Sequence, residues 1–596
     1  MNRKFTNEGV HINMKKKNII ILVVAIIIMV VIGVVISIFL MEKQKYNYQV
    51  EKVTQIDYNI INEEDRYGVI DKNGNVIVEA KYDIIQIPNP SKPVFICMTD
   101  YDVEKKEYQI KVLNEKGEQL YIGYESIQAI PTETTSDGIP FEKSVLTYKT
   151  NGKYGLLGID GKEITQAIYD SISAITYKEG MFLVKQENKV GVINMKGKNV
   201  IPIEYETISA DNYYHEGSQY QKTGFIVSKK TEEGYRYGYI NYKGNVILKP
   251  EYTEVERVTE IEDDNNVYLV ALKEGQAGLL KNKKVILNYE YEDIGYNLYN
   301  DVFIIQRNGK QGIADKNGNM KIATEYDNIL FGGIYINATK NGELTVLDMN
   351  GNEIEDKTVL SKIPTKDQKH YIISDKDEKY KIIDEQGNII IDKNYSYIEE
   401  VDNNYYIVAN ENKNGIINLE GKSVIDLKYN SIFNLENTQL LQANISATET
   451  ISLINKDMNI IVTMEKAGIE VTDSYVRIYT ETENRYFDKN TGEELTNKQA
   501  LPNNKLYAKK INEKWGFTDQ NGDLKVQNEY DMVTDFNEYG FAGIKKDGKW
   551  GVINQEGNII QEPVYELKWP SPKFIGKYYQ EKEWYGDFYY TSKIKE

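Results

Sequence analysis

A tyrosine stands eight residues beyond a turn-type glycine nine times in this chain: Gly74/Tyr82, Gly161/Tyr169, Gly197/Tyr205, Gly244/Tyr252, Gly318/Tyr326, Gly387/Tyr395, Gly421/Tyr429, Gly522/Tyr530 and Gly557/Tyr565. Eight is even, so in a strand each Tyr shares a face with the second and fourth residues after the Gly, such as Val76 and Val78. The ring therefore anchors the end of a strand in the same place each time. Six residues before the turn a second glycine recurs, often after an aromatic residue. Tyr67-Gly68, Tyr154-Gly155, Val190-Gly191, Tyr237-Gly238, Trp515-Gly516 and Trp550-Gly551 carry it, as do Ala277-Gly278, Gln311-Gly312 and Asn414-Gly415. Worn copies centre on Gly117, Gly351, Gly387, Met458 and Gly492. The copies number fourteen, and from Gly68 to Gly551 they average about 37 residues.

Each copy reads as roughly three strands. At Met181 they are Phe182–Lys185, Val190–Met195 and Asn199–Ile203, with turns at 186–188 and 196–197. Asn-Gly in Asp71-Lys72-Asn73-Gly74-Asn75 is a strong hairpin signal, because both central residues tolerate positive φ. A β-meander this small cannot bury its own apolar face, so neighbours must stack. The expectation is an all-β array, propeller-like or an open superhelix, with a first half over 62–340 and a second over 341–567. Rings usually hold 4–8 blades, so fourteen units are not expected to close once, whereas seven plus seven is arithmetically available. Residues 128–146, 209–222 and 355–369 read as polar rim loops.

Ahead of the array, residues 1–18 are basic, and 19–41 run for 23 residues without a charge. Such a run spans a ~30 Å hydrocarbon core as a helix. It exceeds a signal-peptide core and lacks a cleavage site, so it reads as an uncleaved anchor. Five basic residues precede it, which puts the N-terminus in the cytoplasm and the repeats outside. Residues 42–61 form the juxtamembrane linker. Gly33 and Ser37 form a small-xxx-small pair, which reads first as incidental in an Ile/Val-rich span and otherwise as a face through which two such helices could pack into a homo-oligomer.

Charge excludes one class of partner. With 72 basic and 90 acidic residues the net charge is −18, a poor match to nucleic acid. Cys97 is the one cysteine, so there is no internal disulfide and no multi-Cys metal site. No phosphate-binding loop, zinc-protease helix or nucleophile elbow is present. The Asp71–Asn75, Asp315–Asn319 and Asp519–Asp523 turns begin like a calcium loop, but their Gly falls fourth rather than sixth. No catalytic residue, metal ligand or cofactor site is assigned.

The [Tyr/Trp]-Gly-apolar-Ile-[Asp/Asn]-x-x-Gly core with a downstream Tyr-[Asp/Glu] resembles the WG, or KWG, repeat family of bacteria. Lys514-Trp515-Gly516 and Lys549-Trp550-Gly551 match the family name directly. The resemblance implies an all-β repeat domain of envelope or interaction proteins and no defined reaction. Its structural positions here are Gly68, Gly74, Tyr82, Gly191, Gly197, Tyr205, Trp515, Gly516, Tyr530, Trp550, Gly551 and Tyr565. The aromatic tail, 568–596, reads as a cap for the last unit, or as a sugar-stacking platform through Trp569, Trp584 and Tyr585. The expected function is non-enzymatic: a single-pass cell-membrane protein whose extracytoplasmic repeats bind an envelope protein or cell-wall polysaccharide. A glycan-active enzyme and an envelope sensor acting through a membrane partner are the alternatives.

Overall fold

The computed structural model describes residues 53–132, 139–176, 178–211, 224–258, 267–356, 358–402, 405–480, 483–567, 572–582 and 588–591. These residues fold into fourteen small sheets that follow one another along the chain as the blades of a propeller-like ring. The fourth sheet shows the pattern: Ser171–Ala174, Met181–Gln186, Lys189–Asn194 and Asn199–Tyr205, each strand antiparallel to the next. The sequence found the last three strands of this unit. The short first strand, which follows each anchoring Tyr, was not resolved as a separate element.

Two different hairpins alternate within a sheet. Between the second and third strands Glu187 and Asn188 both have positive φ, the tight two-residue turn that matches strand twist. The Asn-Gly hairpins expected to use that geometry do not. In Asp71–Asn75 Gly74 has φ +82 and Asn73 is absent from the left-handed region. The Gly74 N–H donates to the Asp71 carbonyl, and the Asp71 Oδ1 accepts the N–H groups of Asn73 and Asn75 at 2.9 and 2.8 Å. The aspartate is thus committed to backbone donors within its turn, as Asp315 and Asp519 are in theirs.

The recurring Tyr stands directly across from the residue before the inner glycine: Tyr67↔Tyr82, Val190↔Tyr205, Trp515↔Tyr530 and Trp550↔Tyr565. Between that pair and the next the last strand carries two extra residues, for Val69 pairs Val78. The bulge presses backbone onto the glycine. A Cβ on Gly68 would lie 2.6 Å from the Val78 carbonyl oxygen, and one on Gly516 would lie 2.4 Å from that of Val526. The glycine of the motif is therefore required for space, whereas the turn glycine is required for its φ.

Neighbouring sheets share apolar clusters. Val190, Val192, Ile201 and Tyr205 of the fourth sheet pack on Ile208, Phe225 and Val227 of the fifth. Acids after the Tyr tie the same neighbours from the edge. Asp170 accepts from Lys153 behind it at 2.5 Å and from the Glu187 N–H in the next hairpin at 2.9 Å. Asp531 does the same with Lys514, at 2.5 Å, and the Asp547 N–H, at 2.8 Å. The Lys153 ammonium beside Asp170 holds its carboxyl below the usual range.

The expectation that fourteen units do not close once is corrected. The first sheet is built from both chain regions: Tyr58–Glu63, Arg66–Asp71 and Val76–Tyr82 join Phe574–Ile575, Tyr578–Lys582 and Phe588–Thr591. Tyr58–Glu63 pairs in parallel with Phe588–Thr591. Ile61 and Ile70 share a core with Trp550 and Tyr565 of the fourteenth sheet and with Phe574, Ile575 and Tyr578. The Tyr578 hydroxyl meets Glu63 at 3.0 Å. Two of the expected rim loops are likewise part strand, with Ser126–Pro131 and Phe141–Thr150 overlapping 128–146 from either end and Val359–Pro364 inside 355–369. The polar run Glu142-Lys143-Ser144 is buried within its strand rather than exposed on a rim. Among the described residues no helix is long and apolar enough to cross a membrane, and segment 19–41 lies outside them.

Candidate functional site

Fourteen similar sheets provide no site by themselves, so the departure from repetition is where a site is sought. Trp515 and Trp550 are buried, 7% and 0% exposed, and present no stacking face. Trp569, Trp584 and Tyr585 lie outside the described residues.

The third and eighth sheets lack a regular fourth strand, and isolated bridges at Tyr154↔Tyr169 and Leu347↔Glu353 mark its course. The thirteenth differs in kind. Its strands are Tyr507–Ile511, Lys514–Thr518 and Leu524–Tyr530, which correspond to the second, third and fourth of a full sheet. The first strand is missing. Where it should run the chain reads Ala500-Leu501-Pro502-Asn503-Asn504, entered from a one-turn helix at Asn497–Ala500. Thr496 and Gln499 cap that helix reciprocally. Proline in this stretch has no N–H for a ladder.

A cleft of about 890 Å³ opens beside this interruption. One wall is the second strand of the twelfth sheet, with Tyr475, Arg477 and Tyr479; the opposite wall is the Thr534–Glu538 loop of the fourteenth. Residues 500–504 line it too. The two flanking sheets meet directly: the Tyr486 hydroxyl donates to Asp535 at 2.5 Å, and Arg477 lies 3.7 Å from the same carboxylate and 3.2 Å from Glu470. The guanidinium stacks on the Tyr479 ring, 4.6 Å from its centroid, and Tyr475 meets Tyr486 edge-on. Burial first, then the Asp535 charge, pushes the Tyr486 hydroxyl well above its ordinary range. Burial opposes the charge on Arg477, but Asp535, Tyr486 and Glu470 outweigh it and hold the group protonated. The cleft floor is thus a polar cluster tied together by Arg477, Glu470, Tyr486 and Asp535, in which the buried Arg477 Nε and Asn504 Nδ2 have no hydrogen-bond partner among the described residues. Its mouth carries exposed Pro502 and Asn503.

A second cluster sits under the fourth to sixth sheets. Buried Lys178 faces Asp211 and Arg257, which are buried and 3.8 Å apart, and its ammonium lies 5.4 Å from the Phe225 ring centroid. Tyr239 donates to Asp211 at 2.8 Å. Burial brings the Lys178 ammonium down to about 7, against the opposing pull of Asp211.

Sequence reading singled out none of these cleft or cluster residues. Two signals for the cleft were present: Ala500 stands eight residues beyond Gly492 where a Tyr is usual, and Pro502 follows it. Lys178 had no comparable signal, because its partners come from separate sheets.

No curated protein matches the chain. Solved structures match at low identity. A crystal structure of a eukaryotic initiation factor is 10% identical, with TM-score 0.26, over 54% of this chain and 96% of that one. The computationally designed Ika8 protein is 13% identical, with TM-score 0.18, over 50% and 95%. The dihydro-heme d1 dehydrogenase NirN is 9% identical, with TM-score 0.20, over 61% and 74%. The model of the WG containing repeat matches residues 67–87, 154–189, 191–216, 237–260, 382–413, 415–437, 515–550 and 550–567. With its motif glycines under the bulges and its tyrosines at the strand ends, the chain is a WG repeat-containing protein.

Proposed function

We propose that this protein is a non-enzymatic binding scaffold, anchored in the cell membrane by residues 19–41 with its ring outside, and that it holds a polypeptide partner at the cleft beside the thirteenth sheet. The single observation behind this reading is the missing first strand, whose replacement, the irregular stretch 500–504, lines a cleft in an otherwise repeated ring. The apolar run and its basic flank support the anchor. Polysaccharide is the second class of ligand for the same cleft, through Tyr475 and the surrounding hydroxyl and amide groups.

The test offers the immobilised full chain a solubilised envelope protein fraction and purified wall polysaccharide in parallel. An Asn503→Trp variant, which fills the mouth of the cleft, serves as the control. Stoichiometric retention of one protein, lost in the variant, supports the reading. Retention of polysaccharide alone, lost in the variant, transfers the cleft to a glycan. Equal retention by both forms, or retention of nothing, refutes the reading.

A further inference from the structure

The edge of the interrupted sheet has a definite register. In an antiparallel strand alternate residues face opposite neighbours. In Tyr507–Ile511 the tight turn at Asn512-Glu513 makes Ile511, Lys509 and Tyr507 the residues bonded to Lys514–Thr518. Ala508 and Lys510 therefore point their N–H and C=O groups at the place of the absent first strand. Their equivalents in the fourteenth sheet are Gly543 and Lys545, whose carbonyls accept from Thr534 N–H at 2.9 Å and Asp531 N–H at 2.8 Å. The Lys185 carbonyl in the fourth sheet accepts from Asp170 N–H at 2.8 Å. Among the described residues no first strand reaches Ala508 or Lys510.

The side chains along this edge define what fits. Apart from Val359–Pro364 and the composite first sheet, each first strand has an apolar β-branched second residue set against a buried partner. The pairs include Ile172↔Val184, Ile208↔Val227, Val255↔Ala271, Ile432↔Ala443 and Val533↔Ile544. In the thirteenth sheet that partner position is Lys509, which is exposed. An apolar residue in an incoming strand would be set against an ammonium there, whereas a carboxylate would pair with it; opposite charges directly across a ladder are favourable.

We infer that the thirteenth sheet is completed by an extended segment of a partner protein, added antiparallel to Tyr507–Ile511, with an Asp or Glu facing Lys509. Main-chain bonds to Ala508 and Lys510 supply affinity, and the acid supplies selectivity. This rests on the polypeptide reading of the cleft and fixes the mode of contact and the residue type recognised.

The test titrates the full chain with two synthetic peptides. One copies Glu206–Asp211, a first strand of this protein, and the other carries Asp in place of Ile208. Saturable binding, about two- to fivefold tighter for the Asp peptide, is expected. Lys509→Glu should reverse that order, and Ala508→Pro should abolish binding of both. Because Ala508→Pro can disturb folding, amide exchange on the unaltered chain is read as well, and the bound Asp peptide should slow exchange at Ala508 and Lys510. Failure of the Asp peptide to bind, unchanged exchange at those two amides, or indifference to Lys509→Glu overturns the inference. If Asn503→Trp still abolishes capture of an envelope protein in any of those cases, the cleft reading survives and strand addition falls.

Discussion

Replacing Gly551 by Ala separates the two reasons this fold uses glycine. A Cβ there would lie 2.5 Å from the Gln561 carbonyl oxygen, 2.7 Å from the Pro563 nitrogen and 2.8 Å from the Glu562 carbonyl carbon. All three atoms are backbone of the bulged last strand, and the first contact is 0.9 Å short of an ordinary 3.4 Å separation. The strand cannot retreat freely, because Tyr565 at its end is buried against Phe574 and Tyr579 of the closing segment. Overpacking of this kind costs about 1–3 kcal/mol, and a backbone neighbour held in place by Tyr565 puts it near 3. Gly548 is the control: it has φ +80 and nothing within 4 Å of a Cβ, so Ala there costs only the left-handed conformation, about 1 kcal/mol. Urea unfolding followed by tryptophan emission reads the difference, since Trp515 and Trp550 are buried in the last two sheets. A Gly551→Ala midpoint no lower than that of Gly548→Ala would refute the steric account of the motif.

Lys178→Met should remove a pH dependence. A lysine held at about 7 when folded and at its ordinary 10.5 when unfolded binds fewer protons in the folded state between those values. Wild-type stability therefore rises from about pH 7 to 10.5 relative to the variant, by an order of 3–5 kcal/mol. Parallel melting-temperature profiles for the two forms over that range would contradict this. At the sheet edge, Lys514→Met should cost about 0.5 kcal/mol and lose its effect in high salt, because the pair with Asp531 is half exposed. Asp531→Leu should cost more and keep part of its effect in salt, since it also strips the Asp547 N–H of its acceptor; equal salt sensitivity in the two variants would contradict the clamp.

The unit count was legible because turn glycines and strand-end tyrosines are enforced by local geometry. Even the worn copies have their turn residue in the left-handed region, Met458 among them at φ 59. The role of the acid after the Tyr was not legible, because it joins two units: Asp531 takes its lysine from one sheet and its N–H from the next. Closure was missed for a similar reason. The pairing of Ile61 with Tyr590 links residues more than five hundred positions apart, and no local pattern encodes it. The candidate site was hidden because it is an omission. Composition around Pro502 resembles any loop, and its meaning depends on knowing that a strand belongs there.

Amide exchange of the second strands in the free full chain tests the central claim, that the ring is interrupted at one first strand and open for docking there. Lys545 and Gly543, covered by Met532–Val533 and Thr534, should be protected, while Ala508 and Lys510 at the equivalent positions should exchange at least a hundredfold faster. Equal protection at all four would mean that the edge of Tyr507–Ile511 is already occupied, and the account of this protein as an open docking ring would be wrong.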